Sequence, residues 1–425
     1  MKINNYRWLI VALVLVATTI NYVDRQVIGL LKPILEVEFG WSESDYSRIV
    51  MAFSAAYAVG LLTMGRMVDF LGTKKGYSIA VIIWSLAGML HAVSRNMVQF
   101  VTVRIVLGIG EAGNFPAAMK VVSEWFPKKE KGIATGIINA GASLGVVAAL
   151  LVTPLILNFY TWKEVFWITG GLGFAWLILW WIFYEIPMRQ KRITQQELDL
   201  IVSGQEQYQT QSGKPMSWKK LLSLPQTWAV VVGKFFIDPI YWFFLFWLPS
   251  YFSLTYGLDL KKPSLPLMVI YLATTTGSIV GGYISSALIK KGWTTVNARK
   301  YTLLMVAVLE LMVISMQFIH HVWIAVAVLS TAVALHQTWS TNIFTLTTDL
   351  FPKESVSSVA GIAGMAGAIG GFLFPMFVGD LLDRYKLAGN LSGGYNLLFS
   401  VCGITYLGTW LIIHLLTKQF KRHAV

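Results

Sequence analysis

Apolar runs long enough to cross a bilayer recur twelve times along the chain, and no other feature narrows its possible folds as far. They fall at roughly 8–29, 46–65, 76–92, 97–122, 132–158 and 162–183, and again at 228–254, 264–289, 301–319, 322–348, 356–381 and 394–417. A spanning helix takes roughly 20 mostly apolar residues, and hydrocarbon offers a backbone amide no partner outside the protein. The expected fold is an all-α membrane protein, with twelve transmembrane helices in two six-helix halves, residues 1–183 and 227–425. A linker at 184–226, holding Arg189, Lys191, Arg192 and Glu197, is too polar to span. Only 13% of residues are charged, against about 25% in soluble domains, which excludes an ordinary soluble enzyme. The stretch Leu9 to Ile20 is followed by no small-residue cleavage site and is read as the first span, uncleaved.

A formal charge of +13 would point to nucleic acid in a soluble protein, but here the question is where the charges sit. An even number of spans puts both termini on one side, together with the linker. That side collects 22 Lys and Arg, among them Arg7, Arg66, Lys128, Arg299 and Lys353 as well as Lys2, Lys214, Lys418, Lys421 and Arg422. The other side has seven: Lys32, Arg95, Lys163, Lys261, Lys262, Arg384 and Lys386. By the positive-inside rule the termini and linker are cytoplasmic, and no nucleic-acid partner is needed to explain the charge. Cys402 is the single cysteine, which rules out an internal disulfide or a multi-thiolate metal site. There is no G-x-x-x-x-G-K-[S/T] loop, the glycines of 136–145 and 361–371 lie inside apolar spans, and His320-His321 lacks a further ligand at usable spacing. No cofactor or metal is expected.

The halves echo each other. At an offset of 225, Phe126-Pro127-Lys128 falls on Phe351-Pro352-Lys353, Gly136-Ile137 on Gly361-Ile362 and Gly145 on Gly370; at 216, Gly65 falls on Gly281 and Lys74-Lys75 on Lys290-Lys291. The near-constant offset indicates duplication of a six-span unit in parallel orientation, an architecture found in transporters.

Between spans two and three the chain reads Gly65-Arg66-Met67-Val68-Asp69-Phe70-Leu71-Gly72-Thr73-Lys74-Lys75. The glycines permit a tight turn and close helix approach, and Asp69 is placed to accept hydrogen bonds from a helix N-terminus or a basic partner. Gly65, Asp69, Gly72, Lys74 and Lys75 are the gating candidates, although Lys74 and Lys75 taken alone would serve topology. Ser285 and Leu288 replace Asp69 and Gly72 in the second half, so a weaker gate is expected there. The segment resembles the loop signature of the major facilitator superfamily, and the resemblance covers essentially the whole chain. Asn21-Tyr22-Val23-Asp24-Arg25, the stretch from Arg104 through Gly108, Gly110, Glu111 and Gly113 to Pro116, and Ser123-Glu124-Trp125-Phe126-Pro127 are similar to the anion:cation symporters of that superfamily. Within them the sequence looks most like the hexuronate transporters, with support from Asn139 to Gly145 and from His336-Gln337.

A charged side chain within a span costs about 2.5–3.5 kcal/mol on insertion scales, so each invites an account. The set is Asp24, Arg25, Arg104, Glu111, Lys120, Lys234, Asp238, Glu310 and His336. Adjacent residues on a helix point about 100° apart, so Asp24 and Arg25 address different partners. Arg104 and Glu111, two turns apart, share a face; Arg104 is expected to reach Asp24, and Glu111 to lie deeper beside Asn114, itself a candidate substrate contact. The planar fork of Arg25 suits a substrate carboxylate. A static salt-bridge network would use the same residues. The resemblance implies that Asp24 and Glu111, with Arg104, serve proton coupling, that Arg25 contacts the substrate carboxylate, and that Tyr57 touches the substrate.

Asn139 and Ser143 on span five, with His336, Gln337, Trp339 and Asn342 on span ten, supply the amide, hydroxyl and indole groups that suit a sugar. Tyr241 and Trp242 of span seven are candidates to join them. His336 falls on Glu111 at the offset of 225, yet a lone membrane histidine is more often a packing residue. Asp238, just before Pro239, either joins the site or caps freed backbone; Lys120 is expected to snorkel, and Lys234 and Glu310 receive no role.

The resemblance implies a proton-coupled importer of a hexuronate such as glucuronate or galacturonate, lying in the lipid bilayer of the bacterial inner membrane and working by alternating access; a monomer is expected because two fused halves already form a complete site. Glu111 and Asp24 take protons from outside, Arg25, Tyr57 and the polar groups of spans five and ten hold the anion, and deprotonation inside releases it. The alternatives are a carrier for galactonate or another aldonate or carboxylate, an organic phosphate exchanger, and a nutrient sensor that binds without translocating.

Overall fold

In the computed structural model the described residues are 5–41, 43–203, 215–257 and 265–417, and among them every regular element is a helix. Lys2, Lys214, Lys261, Lys262, Lys418, Lys421 and Arg422 of the charge argument lie outside these residues. Twelve helical segments are long and apolar enough to cross a membrane, as the apolar runs predict. The chain forms two compact units, Met1–Met216 with Phe351–Met365, and Ser217–Leu350 with Ala366–Val425.

The first unit contains α1 (Tyr6–Phe39), α2 (Glu43–Leu71), α3 (Thr73–Leu90), α4 (Met97–Glu111), α5 (Asn114–Trp125), α6 (Lys128–Leu157), α7 (Trp162–Phe183) and the short α8 (Gln195–Ser203). With 34 residues, α1 is ~51 Å long at 1.5 Å per residue, well beyond the hydrocarbon thickness. Its C-terminal end buries Val27, Leu31 and Leu35 against Trp41, Phe100 and Trp162. Helix starts follow local chemistry: Asn96 accepts from the Gln99 amide to cap α4, and Thr161 with Glu164 forms a capping box on α7. Two of the indole donors buried in this unit find carbonyls, Trp176 Nε1 donating to Leu13 O and Trp180 Nε1 to Lys74 O, while that of Trp84 has no hydrogen-bond partner among the described residues. At the opposite end of α1, Arg7 bridges Glu130 (2.7 Å) and Glu197 (3.0 Å), and Glu197 also accepts from the Tyr6 and Arg7 amides. This pins α8 to the first and fifth spans.

The second unit contains α9 (Trp218–Ser223), α10 (Pro225–Phe235), α11 (Asp238–Tyr256), α12 (Leu265–Lys290), α13 (Thr295–Glu310), α14 (Val322–Leu350), the greater part of α15 (Val356–Leu387), and α16 (Leu391–Leu416). Arg299, counted above as a loop charge, is fully buried: its Nε donates to Asp349 Oδ2 at 3.1 Å, and Nη1 donates to the Ser285 hydroxyl.

Among the described residues, three spans are interrupted at an acid. Glu111 is the last residue of α4, Asp238 the first of α11, and Glu310 the last of α13, which passes into a 3-10 turn at Leu311–Phe318. The first two breaks have a local cause. Pro116 and Pro239 have no N–H to give the preceding turn, and a proline ring clashes with the carbonyl four residues back. The third has neither glycine nor proline behind it.

Candidate functional site

Asp24 and Arg25 part as helix geometry requires. Arg25 Nε donates to Glu111 Oε2 at 2.9 Å, while Asp24, 4% exposed, faces Thr169 of α7 and Arg104 of α4. The Arg25 guanidinium carbon lies 4.6 Å from the Tyr22 ring centroid, 5.2 Å from Phe53 and 4.4 Å from Tyr57. Three aromatic faces thus stand where water would otherwise solvate the cation. Arg104 Nη2 reaches the Arg25 carbonyl at 3.5 Å, and its charge acts on both Asp24 and Glu111.

Two acids and two guanidiniums therefore balance in charge, yet their hydrogen bonds are incomplete. Both Asp24 oxygens, Glu111 Oε1 and Arg25 Nη2 are buried without a hydrogen-bond partner among the described residues. The expected approach of Arg104 to Asp24 is present as an electrostatic one. The close ion pair is Arg25 with Glu111, which spacing along the chain does not reveal.

Other expected contacts resolve differently. Asn114 is fully buried, with Oδ1 accepting from Tyr77 OH at 2.5 Å and Nδ2 donating to Thr18 Oγ1 at 3.1 Å. Its amide braces α5 against α1 and α3, so the substrate contact expected of it is not offered in this arrangement. Asn139 is 8% exposed and Ser143 is half-buried, both on α6.

In the second unit His336 stacks on Tyr241 with 5.0 Å between ring centroids, and its Nδ1 lies 2.8 Å from Tyr406 OH. Gln337 is half-buried and Trp242 is exposed. Trp339 and Asn342 are spent on packing. The Trp339 indole donates to Gly233 O at 3.0 Å, and Asn342 Nδ2 donates to Gly281 O and Thr338 O at 3.1 and 2.9 Å. Both are fully buried, which removes them from the surfaces open to a sugar. Asp238 pairs with Lys234 at 2.7 Å, across the break between α10 and α11, and the Lys234 ammonium sits 4.3 Å from the Phe344 ring centroid.

The expected gating segment is engaged on every side. Gly72, at φ 79°, makes the turn between α2 and α3, in a conformation L side chains rarely adopt. At Gly65 a Cβ would collide with the Ser357 carbonyl, so α15 could not come this close over any other residue. Asp69 then takes the first amides of α15: Ser358 N at 2.7 Å and Ser357 N at 3.3 Å, with Ser358 Oγ at 2.6 Å. Unsatisfied amides and the positive end of the helix dipole both favour a carboxylate there. Lys120 completes the joint, its Nζ 3.0 Å from Asp69 Oδ1 and its side chain 6% exposed. The expectation that Lys120 snorkels is corrected: a buried acid lies closer to it than the surface does. Lys74 pairs with Glu185 at 3.2 Å, while Lys75 is exposed. Beside them, burial and the neighbouring Glu124 carboxylate push the Tyr184 phenol well above its usual range, so it remains a donor to Glu124 at 2.5 Å.

Several residues at these sites escaped the sequence reading. Thr169 beside Asp24, and Ser357 and Ser358 at the start of α15, looked like ordinary small residues of apolar helices. His91 closes α3 with Nδ1 2.8 Å from Ala87 O and its ring stacked 4.9 Å from Phe166, within electrostatic reach of Arg104. Its position in an apolar run was a usable signal.

Twelve helical spans in two units, with paired charges held deep inside them, define a membrane carrier. The sequence profile of the Major Facilitator Superfamily matches residues 14–375, and the chain belongs to that family of transporters, which are not enzymes. It is 32% identical over 407 residues to the hexuronate transporter of Escherichia coli (strain K12), covering 95% of this chain and 92% of that one. It is 34% identical over 287 residues to the galacturonate transporter of Dickeya chrysanthemi, covering 67% and 82%. Among solved structures, the proton:xylose symporter XylE bound to 6-bromo-6-deoxy-D-glucose shares the fold with a TM-score of 0.72 at 16% identity, covering 98% of this chain and 96% of that one.

Proposed function

We propose that this transporter imports a hexuronate, glucuronate or galacturonate, together with protons across the bacterial inner membrane by alternating access. Its relatives include a hexuronate and a galacturonate transporter, which supports the substrate class. The observation that carries the coupling is the 2.9 Å pair of Arg25 and Glu111, with Arg25 Nη2 buried beside it and with no hydrogen-bond partner among the described residues.

One guanidinium cannot fully serve two carboxylates. When Glu111 takes a proton it gives up its charge, and the fork of Arg25 is released to a substrate carboxylate. When the substrate leaves, Arg25 recovers Glu111 as the proton departs. Proton and anion therefore favour each other's binding, and the linkage is reciprocal. Asp24, buried between Arg104 and Thr169, is the second proton carrier in this reading. Tyr57, Asn139, Ser143, Tyr241, Trp242, His336 and Gln337 contact the sugar. The Asp69 joint with α15 opens and closes during the cycle, on the cytoplasmic side.

The test is uptake of labelled glucuronate and galacturonate into proteoliposomes of purified protein, with and without an inward proton gradient. Accumulation that needs the gradient and is blocked by unlabelled hexuronate is expected. Binding displaced by galactonate but not by hexuronate would replace the substrate and keep the coupling. Hexuronate uptake indifferent to the gradient would overturn the coupling.

A further inference from the structure

Asp238 and Glu310 are the acids at helix interruptions that this cycle leaves unused, and Asp238 is already paired with Lys234. Glu310 is fully buried at the end of α13, and neither carboxylate oxygen has a hydrogen-bond partner among the described residues. Counting from Thr295, it lies ~22 Å along the helix at 1.5 Å per residue, near mid-membrane. An isolated carboxylate at such depth is among the most expensive groups a protein can bury unless it is paired.

Its titratable neighbours are Cys402 and Tyr406 of α16, neither of them a cation. The 3-10 turn at Leu311–Phe318 brings no titratable group. On α12, Tyr271 is turned away, donating to the Phe244 and Leu245 carbonyls. From α14 comes His336, joined to Tyr406 at 2.8 Å and within range of the Lys234 charge; Asp238, the partner of Lys234, is in turn felt by Tyr406.

Tyr406 has a single hydrogen to donate. Facing a neutral Glu310, that hydrogen is given to His336 Nδ1. Facing an ionised Glu310, the field of the carboxylate draws it away, and His336 must present an N–H to the phenol oxygen instead. The charge on Glu310 is thereby read out as the tautomer of the imidazole that stacks on Tyr241.

We propose that Glu310 is a further proton-binding site of the transporter, separate from Glu111 and Asp24 and linked through Tyr406 to His336 and so to the aromatic sugar-facing surface at Tyr241. The event is one proton joining one carboxylate and leaving it again, with no electrons moved. The transport role rests on the proton-coupled reading above; proton binding itself does not.

Two readouts on reconstituted full-length protein test it. The first is an infrared difference spectrum between acid and alkaline pH, in which the carbonyl stretch of a protonated carboxyl should appear in the native protein and shrink in Glu310→Gln. The second is the proton-to-hexuronate ratio, taken from the gradient that halts net flux, which should fall by a whole proton in Glu310→Gln while counterflow persists. An unchanged band or an unchanged ratio overturns the proposal. If Glu310→Gln fails to fold, Tyr406→Phe, which keeps the ring and removes the relay, should shift the pH profile of uptake, and an unmoved profile overturns it equally. Native protein that shows no gradient dependence would defeat proton-coupled import, and the infrared band would still decide whether Glu310 takes a proton.

Discussion

Arg25 stands between an acid of its own protein and, in the proposed cycle, the acid of its cargo, and substitutions there separate charge from shape. Arg25→Lys keeps the cation but loses the fork and the flat face that meets Tyr22, Phe53 and Tyr57. Hexuronate affinity is expected to fall about tenfold or more, ~1.4 kcal/mol, in equilibrium binding to the purified protein. Glu111→Gln should retain a contact with Arg25 but carry no proton, so gradient-driven accumulation is lost while counterflow survives; normal accumulation by this variant would remove Glu111 from the coupling. These residues were legible in the sequence because a charge inside an apolar run stands out against its surroundings. Their pairing was not legible, since the meeting of Arg25 with Glu111 depends on the register between α1 and α4. Asn114, Trp339 and Asn342 were over-read for the same reason: an amide or indole in a span looks alike whether it faces a ligand or a neighbouring carbonyl.

Among the helices, the Asp69 joint is where a motif translates most directly into contacts. Its turn and close approach follow from Gly72 and Gly65, which sequence alone could supply, whereas Lys120 and the two serines of α15 come from distant stretches that only folding brings together. Asp69→Ala strands a lysine that is 4% exposed, and breaking such a pair from one side costs about 3–5 kcal/mol. The midpoint of thermal unfolding in detergent should drop accordingly. The double variant Asp69→Ala/Lys120→Met should recover a large part of the loss, because it removes the orphaned charge along with its partner. Failure of the second change to restore any stability would mean that the α15 amides, rather than Lys120, dominate the joint. The helix interruptions were harder to foresee. Proline marks those near Glu111 and Asp238, but nothing in the stretch from Leu311 to Phe318 announces a change of helix type.

For the molecule as a whole, length, hydropathy and charge were sufficient to place twelve spans, and the orientation they imply is open to direct test. Cys402 is 1% exposed and is the only cysteine in the chain, so native protein should be silent to a membrane-impermeant maleimide. In intact cells, Arg95→Cys is expected to label from outside and Lys75→Cys only after permeabilisation; the reverse pattern would invert the topology. The arrangement of the two units has a further bearing on how the protein is made. Phe351–Met365 belongs to the first compact unit although it is encoded near the end of the chain. Synthesis must therefore run past Met365 before Asp69 can meet the amides of α15. Until the ribosome has gone that far, the first unit waits with Lys120 as the partner for its acid, and its completion follows synthesis of the Ser217–Leu350 part of the second unit.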